Sequence, residues 1–111
     1  MNTAHLIERI KAEIAELQTA DAATAQDRKA VELDQQSVGR LSRMDALQVQ
    51  AMAQAESRRR SQRIQALKAA LKRAAEDELG YCQDCGEPIA EARLDLDPAA
   101  TRCIDCARGM G

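Results

Sequence analysis

The chain has 111 residues, one aromatic residue (Tyr81) and a formal net charge of −2. Alanine supplies much of its 45% hydrophobic content, so low buried area per residue argues against a compact globule and for long helices. The charge disfavours a general nucleic-acid binder, and the absence of a membrane-length apolar stretch or a signal-peptide core indicates a cytoplasmic protein.

Two series of residues at helical spacing run in opposite directions along the chain. One begins Ile7, Ile10, Ile14, Leu17 and continues in register to Val31; the other descends through Leu71, Leu67, Ile64, Arg60, Ser57, Ala53, Gln50 and Ala46. Pairs such as Ile10 with Leu67 have residue numbers that add to 77 or 78, and half of that sum falls at Gly39. We therefore predict an antiparallel helical hairpin, a coiled coil, over residues 1–79, with its tip at about 34–45.

The tip carries its own local signals. Ser42 followed by Asp45 resembles a capping box, which predicts that the second helix starts near Ser42. Gly39 suits a tight reversal of the backbone. A single kinked helix of about 75 residues is the alternative.

The middle of the predicted hairpin has polar residues at its seam positions, and a stretch of basic residues follows it on the second helix. Asp21, Thr24 and Ser57 occupy seam positions, so we expect this region to be weakly held. Seven basic and no acidic residues lie between Ser57 and Ala75. They are expected to form interhelical ion pairs, worth about 0–1 kcal/mol each, or to dock onto an acidic partner, and neither role excludes the other. The docking candidates are Arg58, Arg59, Arg60 and Arg63.

The second strong signal is a pair of CxxC motifs in residues 80–111, formed by Cys82 with Cys85 and by Cys103 with Cys106. Two such knuckles give a tetrahedral set for one structural zinc ion and leave no position for water or substrate. A thioredoxin-like redox motif would need a surrounding βαβ pattern, which is lacking. Acidic residues outnumber basic ones in this segment, which disfavours a DNA-reading finger.

Catalytic constellations are lacking in the sequence. His5 is the only histidine and reads as an exposed residue of the first helix. No serine, histidine and acid combination and no phosphate loop is present. We therefore expect that the protein is not an enzyme.

A helical hairpin followed by GYCQDCG, Ile89, the pair Arg93-Leu94, Pro98 and CIDC resembles the DksA/TraR family of bacterial transcription factors, in a shortened form. The resemblance implies direct binding to RNA polymerase without DNA binding. It also implies insertion of the hairpin tip into the secondary channel, where family members modulate promoter complexes, often with guanosine tetraphosphate.

The tip motif of the family, Asp-x-x-Asp-x-Ala, is not matched in register here, since an ungapped count places Gly39, Ser42 and Met44 there. We expect the working tip to consist of Arg40, Ser42, Arg43 and Asp45, with Asp34 as the reserve acidic residue. Arg59 and Arg93 match basic positions of the family, so Arg93 joins the polymerase-docking candidates. The nucleotide-binding positions fall on Ala66, Asp97 and Ala107, none of them basic, which predicts weak or no dependence on guanosine tetraphosphate.

Two other functions stay open on the sequence alone. A Gre-like transcript factor would use the same channel, but it needs paired acids at the tip to bring a second metal ion. A zinc-finger-capped coiled-coil scaffold would self-associate, whereas the mirrored hairpin predicts a monomer.

Overall fold

The computed structural model describes residues 3–25 and 40–109, in which the chain is mainly helical. The helices are α1 (Thr3–Ala23), α2 (Arg40–Ala75), α3 (Glu91–Leu96) and α4 (Ile104–Ala107). The β structure of this part of the chain is one isolated antiparallel bridge between Tyr81 and Pro88. The predicted fold class is confirmed, whereas the predicted bend at Gly39 lies outside the described residues. Within 3–25 and 40–109, every helix is too short or too polar to cross a bilayer.

The chain divides into two compact units. The first comprises Met1–Ile14 with Gln65–Gly111, and the second comprises Ala15–Ile64. Both long helices contribute to each unit. The predicted boundary between the hairpin and the finger, at residues 79 and 80, lies inside the first unit.

In the described part of the chain, the fully buried aliphatic side chains all lie in the first unit. The side chains of Ile10 and Leu67 are 0% exposed, and those of Ile89 and Leu94 are 1% and 2% exposed. The helical residues and the residues between the cysteine pairs are therefore buried within one unit. The buried hydrophobic set is Leu6, Ile10, Leu67, Ala70, Leu79, Cys82, Ile89, Leu94, Ala99 and Ala100, with Pro98 also fully buried.

The predicted seam is confirmed by the burial pattern of both long helices. Each described seam position is buried or half-buried. These positions are Ile7, Ile10, Ile14, Leu17, Asp21 and Thr24 on the first side and Ala46, Gln50, Ala53, Ser57, Arg60, Ile64, Leu67 and Leu71 on α2. The 3.6-residue period of the helix thus places the residues of each series along one face of its helix, away from solvent.

In the second unit the seam is held by a polar cluster around Asp21. Its carboxylate accepts hydrogen bonds from Ser57 Oγ at 2.8 Å and from Arg60 Nη2 at 3.1 Å. The same guanidinium nitrogen donates to Thr24 Oγ1 at 2.8 Å. The residue numbers of Asp21 and Ser57 add to 78, as the mirror rule requires. We expected weak attachment here, and instead directional bonds fix the register of this part.

The described part of α2 begins at Arg40, close to the start predicted near Ser42, but Ser42 does not have the predicted capping position. The helix already includes Arg40, so Ser42 is an internal helical residue. An N-cap residue must lie outside the helix to accept from its first free N–H groups. The capping box assigned to Ser42 and Asp45 is therefore wrong.

The end of α2 is a Schellman motif with an unusual residue. The Glu78 N–H donates to the Arg73 carbonyl at 2.8 Å, and the Asp77 N–H donates to the Ala74 carbonyl at 3.2 Å. Asp77 has φ 60°, the left-handed conformation in which glycine is preferred. The sharp turn leads directly into the buried Leu79.

Replacing Asp21 with alanine should lower the free energy of unfolding by about 1 kcal/mol, because Arg60 and Ser57 lose their shared acceptor. Urea unfolding of the zinc-loaded protein measures this change. Glu56→Ala, which removes an exposed carboxylate from the same unit, is the matched control and should have little effect. Equal effects of the two substitutions would contradict a stabilising role for the cluster.

Asp77→Gly should raise the free energy of unfolding by about 0.5–1 kcal/mol, because glycine adopts the left-handed conformation without a Cβ penalty. Asp77→Ala should lower it, since alanine keeps the penalty and loses the short polar side chain. Thermal unfolding of the three proteins checks the order. A glycine variant less stable than the parent would show that the aspartate makes a compensating interaction.

Candidate metal centre

The first cysteine knuckle is a tight turn closed by backbone hydrogen bonds. The Cys82 N–H donates to the Glu87 carbonyl at 2.8 Å, and the Gly86 N–H donates to the Cys82 carbonyl at 2.9 Å. Gly86 has φ +79°, as expected from its place after the second cysteine. This geometry turns the sulfurs of Cys82 and Cys85 toward one point.

The second knuckle begins α4. Cys103 is the N-cap residue of this helix, and its carbonyl accepts from the Ala107 N–H at 2.9 Å. Cys106 therefore follows Cys103 within one helical turn. The two knuckles are joined where the Gln83 N–H donates to the Thr101 carbonyl at 2.8 Å.

The four cysteine sulfurs have the spacing of a zinc site. They all lie within 4.8 Å of one another, and those of Cys85 and Cys103 are 3.7 Å apart. A Zn–S distance of about 2.3 Å in a tetrahedron gives an edge of about 3.8 Å between sulfurs. The arrangement fits one zinc ion with four cysteine ligands. The predicted single structural Zn²⁺ is thereby confirmed.

The acidities of the sulfurs differ before metal is bound. The backbone N–H of Cys103, followed by that of Cys85, lowers the pKa of the Cys82 thiol to about 6. Hydrogen bonding with the side chain of Cys103, followed by that of Cys82, raises the pKa of Cys106. Four neighbouring thiolates repel one another, so complete ionisation requires a cation between them. Zinc supplies that charge and binds as the remaining protons leave.

A site with four protein ligands is closed. Its tetrahedral set leaves no position at which water or substrate could bind, so the ion is structural. Outside these cysteines, the described residues contain no other group of three or more metal-ligating side chains close enough to share an ion. The role of a metal ion in this centre is therefore to stabilise the fold.

The predicted docking arginines have different environments. Arg58 and Arg59 are exposed on α2, whereas the Arg60 side chain is only 14% exposed and bonded to Asp21. Arg63 is half-buried and has a polar partner. The Arg93 Nε donates to a backbone carbonyl between the cysteine pairs, that of Arg102, at 2.8 Å.

The predicted tip residues are only partly described. Arg43 and Asp45 are exposed on the first turns of α2. Asp34 and the side chains of Arg40 and Ser42 lie outside the described residues. Whether these five residues act together stays a prediction.

Two arginines that were not predicted from the sequence hold the segment between the cysteine pairs in place. Arg9 on α1 donates to the carbonyls of Leu94 and Asp95 at 3.2 and 2.8 Å. Arg73 on α2 is 8% exposed and donates to the Ala99 carbonyl at 3.2 Å. All three hydrogen bonds join residues far apart in the chain, and they provide donors for three backbone carbonyls of this segment.

Only Arg73 had a detectable sequence signal. It follows Leu67 and Ala70 at intervals of three residues and so shares their buried face. Burial lowers the pKa of the Arg73 guanidinium, and the charges of Glu78 and Asp97 oppose that shift. The cation is thus retained inside the first unit by two nearby carboxylates.

Cys106→Ser should abolish stoichiometric zinc binding, because one neutral hydroxyl cannot replace a thiolate in the tetrahedral set. Metal analysis should give one zinc ion per parent chain. Hydrogen exchange should show lost protection at the Cys82 and Ile89 amides after chelation. If these two amides stayed protected from exchange without metal, the dependence of this segment on zinc would be contradicted.

Comparisons with known proteins agree with this geometry. The family model of the prokaryotic dksA/traR C4-type zinc finger matches residues 78–110. The RNA polymerase-binding transcription factor DksA of Haemophilus influenzae is 48% identical over 40 residues, which are 36% of this chain and 28% of the relative. The protein of the same name from Escherichia coli K12 is 40% identical over 43 residues, or 39% and 28% of the two chains. The matched segment thus spans little more than a quarter of either relative.

The likeness in fold extends further than the likeness in sequence. The structure of transcription factor DksA2 from Pseudomonas aeruginosa superposes with a TM-score of 0.83, covering 96% of this chain and 81% of that one at 22% identity. At that identity the match shows the fold. The chain thus has a segment similar to the dksA/traR C4-type zinc finger, and its fold is similar to that of DksA2.

Proposed function

We propose that this protein regulates transcription by binding bacterial RNA polymerase directly. The observation that carries the proposal is the 48% identity, over 40 residues, to a factor named for RNA polymerase binding. The fold likeness to a transcription factor over 96% of the chain supports it. We further propose that the protein is cytoplasmic and monomeric.

Binding to the polymerase rather than to DNA is favoured by charge. Residues 80–109 contain six acidic residues and three arginines. A DNA-binding surface needs a positive excess to neutralise phosphates, and this segment has the opposite sign. The closed zinc site also leaves the cysteines no role in substrate binding.

The further proposal is that the tip at about 34–45 enters the secondary channel of the polymerase. Arg43 and Asp45 support it, because both present charged groups to solvent on the first turns of α2. Outside the channel, Arg58 and Arg59 are the stronger docking candidates, since they are exposed. Arg60 is the weaker one because its guanidinium is held by Asp21 and Thr24.

A photo-crosslinking residue at Met44, which is 53% exposed, tests the channel proposal with RNA polymerase holoenzyme. Attachment beside the active-site elements of the catalytic subunits is expected. The control is the same residue at Lys11, which is exposed on α1 and should attach elsewhere or not at all. Binding without a channel crosslink from Met44 would remove the channel proposal but retain polymerase binding.

The acidic tip residues should act after binding. Asp45→Ala or Asp34→Ala should abolish the effect on promoter complexes while polymerase affinity stays within about twofold, since exposed charges contribute little binding energy. In vitro transcription and a binding titration measure the two quantities. Glu56→Ala, which removes an exposed acid elsewhere on α2, should leave both unchanged. Full activity in both tip variants would eliminate the acidic-tip hypothesis.

Guanosine tetraphosphate should change the activity little. Ala66 and Ala107 offer no charge, and the Asp97 carboxylate repels phosphate while accepting from the Ala99 N–H at 3.0 Å. Transcription assays with and without the nucleotide measure the dependence. Strong synergy would show that other residues bind it.

Two experiments separate the alternative functions. Sedimentation should give a monomer, whereas a scaffold would self-associate with increasing concentration. A cleavage assay on backtracked complexes should show no stimulation, whereas a Gre-like factor would accelerate cleavage.

A further inference from the structure

The second cysteine knuckle has no anchor in the hydrophobic core. Helix α4, which is described in full, contains no buried residue, and its Ile104 is 48% exposed. The first knuckle differs, because Cys82 is 3% exposed and Ile89, which follows the turn, is 1% exposed. Polar contacts and the metal ion must therefore keep the sulfurs of Cys103 and Cys106 beside those of the first knuckle.

Arg102 connects the two knuckles through its side chain. Its Nε donates to Oδ2 of Asp84 at 2.9 Å. Asp84 lies between the cysteines of the first knuckle, and Arg102 directly precedes Cys103 in the second. The ion pair and the backbone hydrogen bond from Gln83 to Thr101 thus join the same two turns. The two charged side chains are 56% and 48% exposed, so the pair contributes geometry more than energy.

Arg93 holds the backbone at Arg102. The Arg93 Nε donates to the Arg102 carbonyl at 2.8 Å. Arg93 is half-buried on α3, and its neighbour Leu94 is 2% exposed. The donor thus belongs to a helix that is anchored in the core, and its acceptor lies one residue before the ligand Cys103. This bond attaches the second knuckle to the core that its own residues do not reach.

We propose that Arg93 and Arg102 are positioning residues of the metal centre, which hold the second knuckle against the first and so increase the affinity for zinc. Both act on the peptide chain beside Cys103 rather than as ligands. Because the chain is held in place before metal binds, less ordering of the second knuckle is left to accompany binding. This role of Arg93 is additional to that of a docking candidate, and it does not depend on RNA polymerase.

A general effect of positive charge is the alternative explanation for a change in zinc affinity. The charge of four thiolates exceeds that of Zn²⁺, so any nearby cation favours the filled centre. Arg108 provides the control, because it is exposed and lies two residues after Cys106. Its substitution removes a positive charge near the second knuckle and leaves the bonds of Arg93 and Arg102 in place.

Equilibrium competition with a zinc chelator of known affinity measures the effect. Arg93→Gln should lower the zinc affinity by about tenfold to a hundredfold, the usual range for contacts that orient a metal site. Arg102→Gln and Asp84→Asn should each lower it about twofold to fivefold, because their pair is exposed. The double variant should match either single variant, and Arg108→Gln should bind zinc like the parent. Additive effects of Arg102→Gln and Asp84→Asn, or equal effects of Arg108→Gln and Arg93→Gln, would overturn the proposal.

Hydrogen exchange of the zinc-loaded variants separates positioning from general destabilisation. In Arg93→Gln and Arg102→Gln the Gln83 amide, which joins the knuckles, should exchange faster, whereas the Gly86 amide inside the first knuckle should keep its protection. Equal acceleration of both amides would contradict the proposal.

Cobalt substitution checks that the ligands themselves are unchanged. The Co²⁺-loaded variants should retain the absorption of a tetrahedral four-thiolate site, because all four cysteines are still present. Loss of that absorption would show that the ligand set has changed and would overturn a role in positioning alone. Since none of these assays contains polymerase, their failure would leave the proposed transcriptional function untouched.

Discussion

The convergence of four cysteine sulfurs within 4.8 Å is the constraint on which the C-terminal part of the molecule depends. Sulfur atoms so close together cannot all be thiolates unless a cation lies among them, and zinc meets that requirement. The backbone between the two knuckles is thereby closed into a loop, which presents the Leu94 and Ala99 carbonyls to Arg9 and Arg73. Metal chemistry, hydrogen bonding and burial thus stabilise the same short segment.

The two units rely on different forces. Among the described residues, all buried aliphatic side chains lie in the first unit, whereas Asp21, Thr24, Ser57 and Arg60 provide the specific contacts of the second. A partly buried ion pair contributes little net stability after its desolvation cost, but its geometry discriminates between registers. Such a seam specifies how the helices pair rather than how strongly.

Most of what could be predicted followed from the helical periodicity of the two long segments and from the spacing of the cysteines. The seam positions and the cysteine cluster follow from local patterns, and both are confirmed by the structure. The bonds from Arg9 and Arg73 depend on where distant carbonyls arrive, which no local pattern encodes. The capping box at Ser42 failed for the opposite reason, since a local motif was overridden by continuation of the helix. The 89% exposure of Leu96 is likewise a property of the folded chain that no local pattern predicts.

The shared interior of the first unit has an evolutionary consequence. Ile10 from α1, Leu67 from α2 and Ile89 from the finger are all withdrawn from solvent in one compact body. A recombination event that moved the finger onto a foreign pair of helices would expose apolar surface on donor and recipient alike. The finger is therefore not an independent folding module, although all four metal ligands lie within it. Residues of the finger are therefore expected to covary with residues at the packed ends of both long helices. Covarying pairs in related sequences should join positions on the two sides of the boundary between residues 79 and 80.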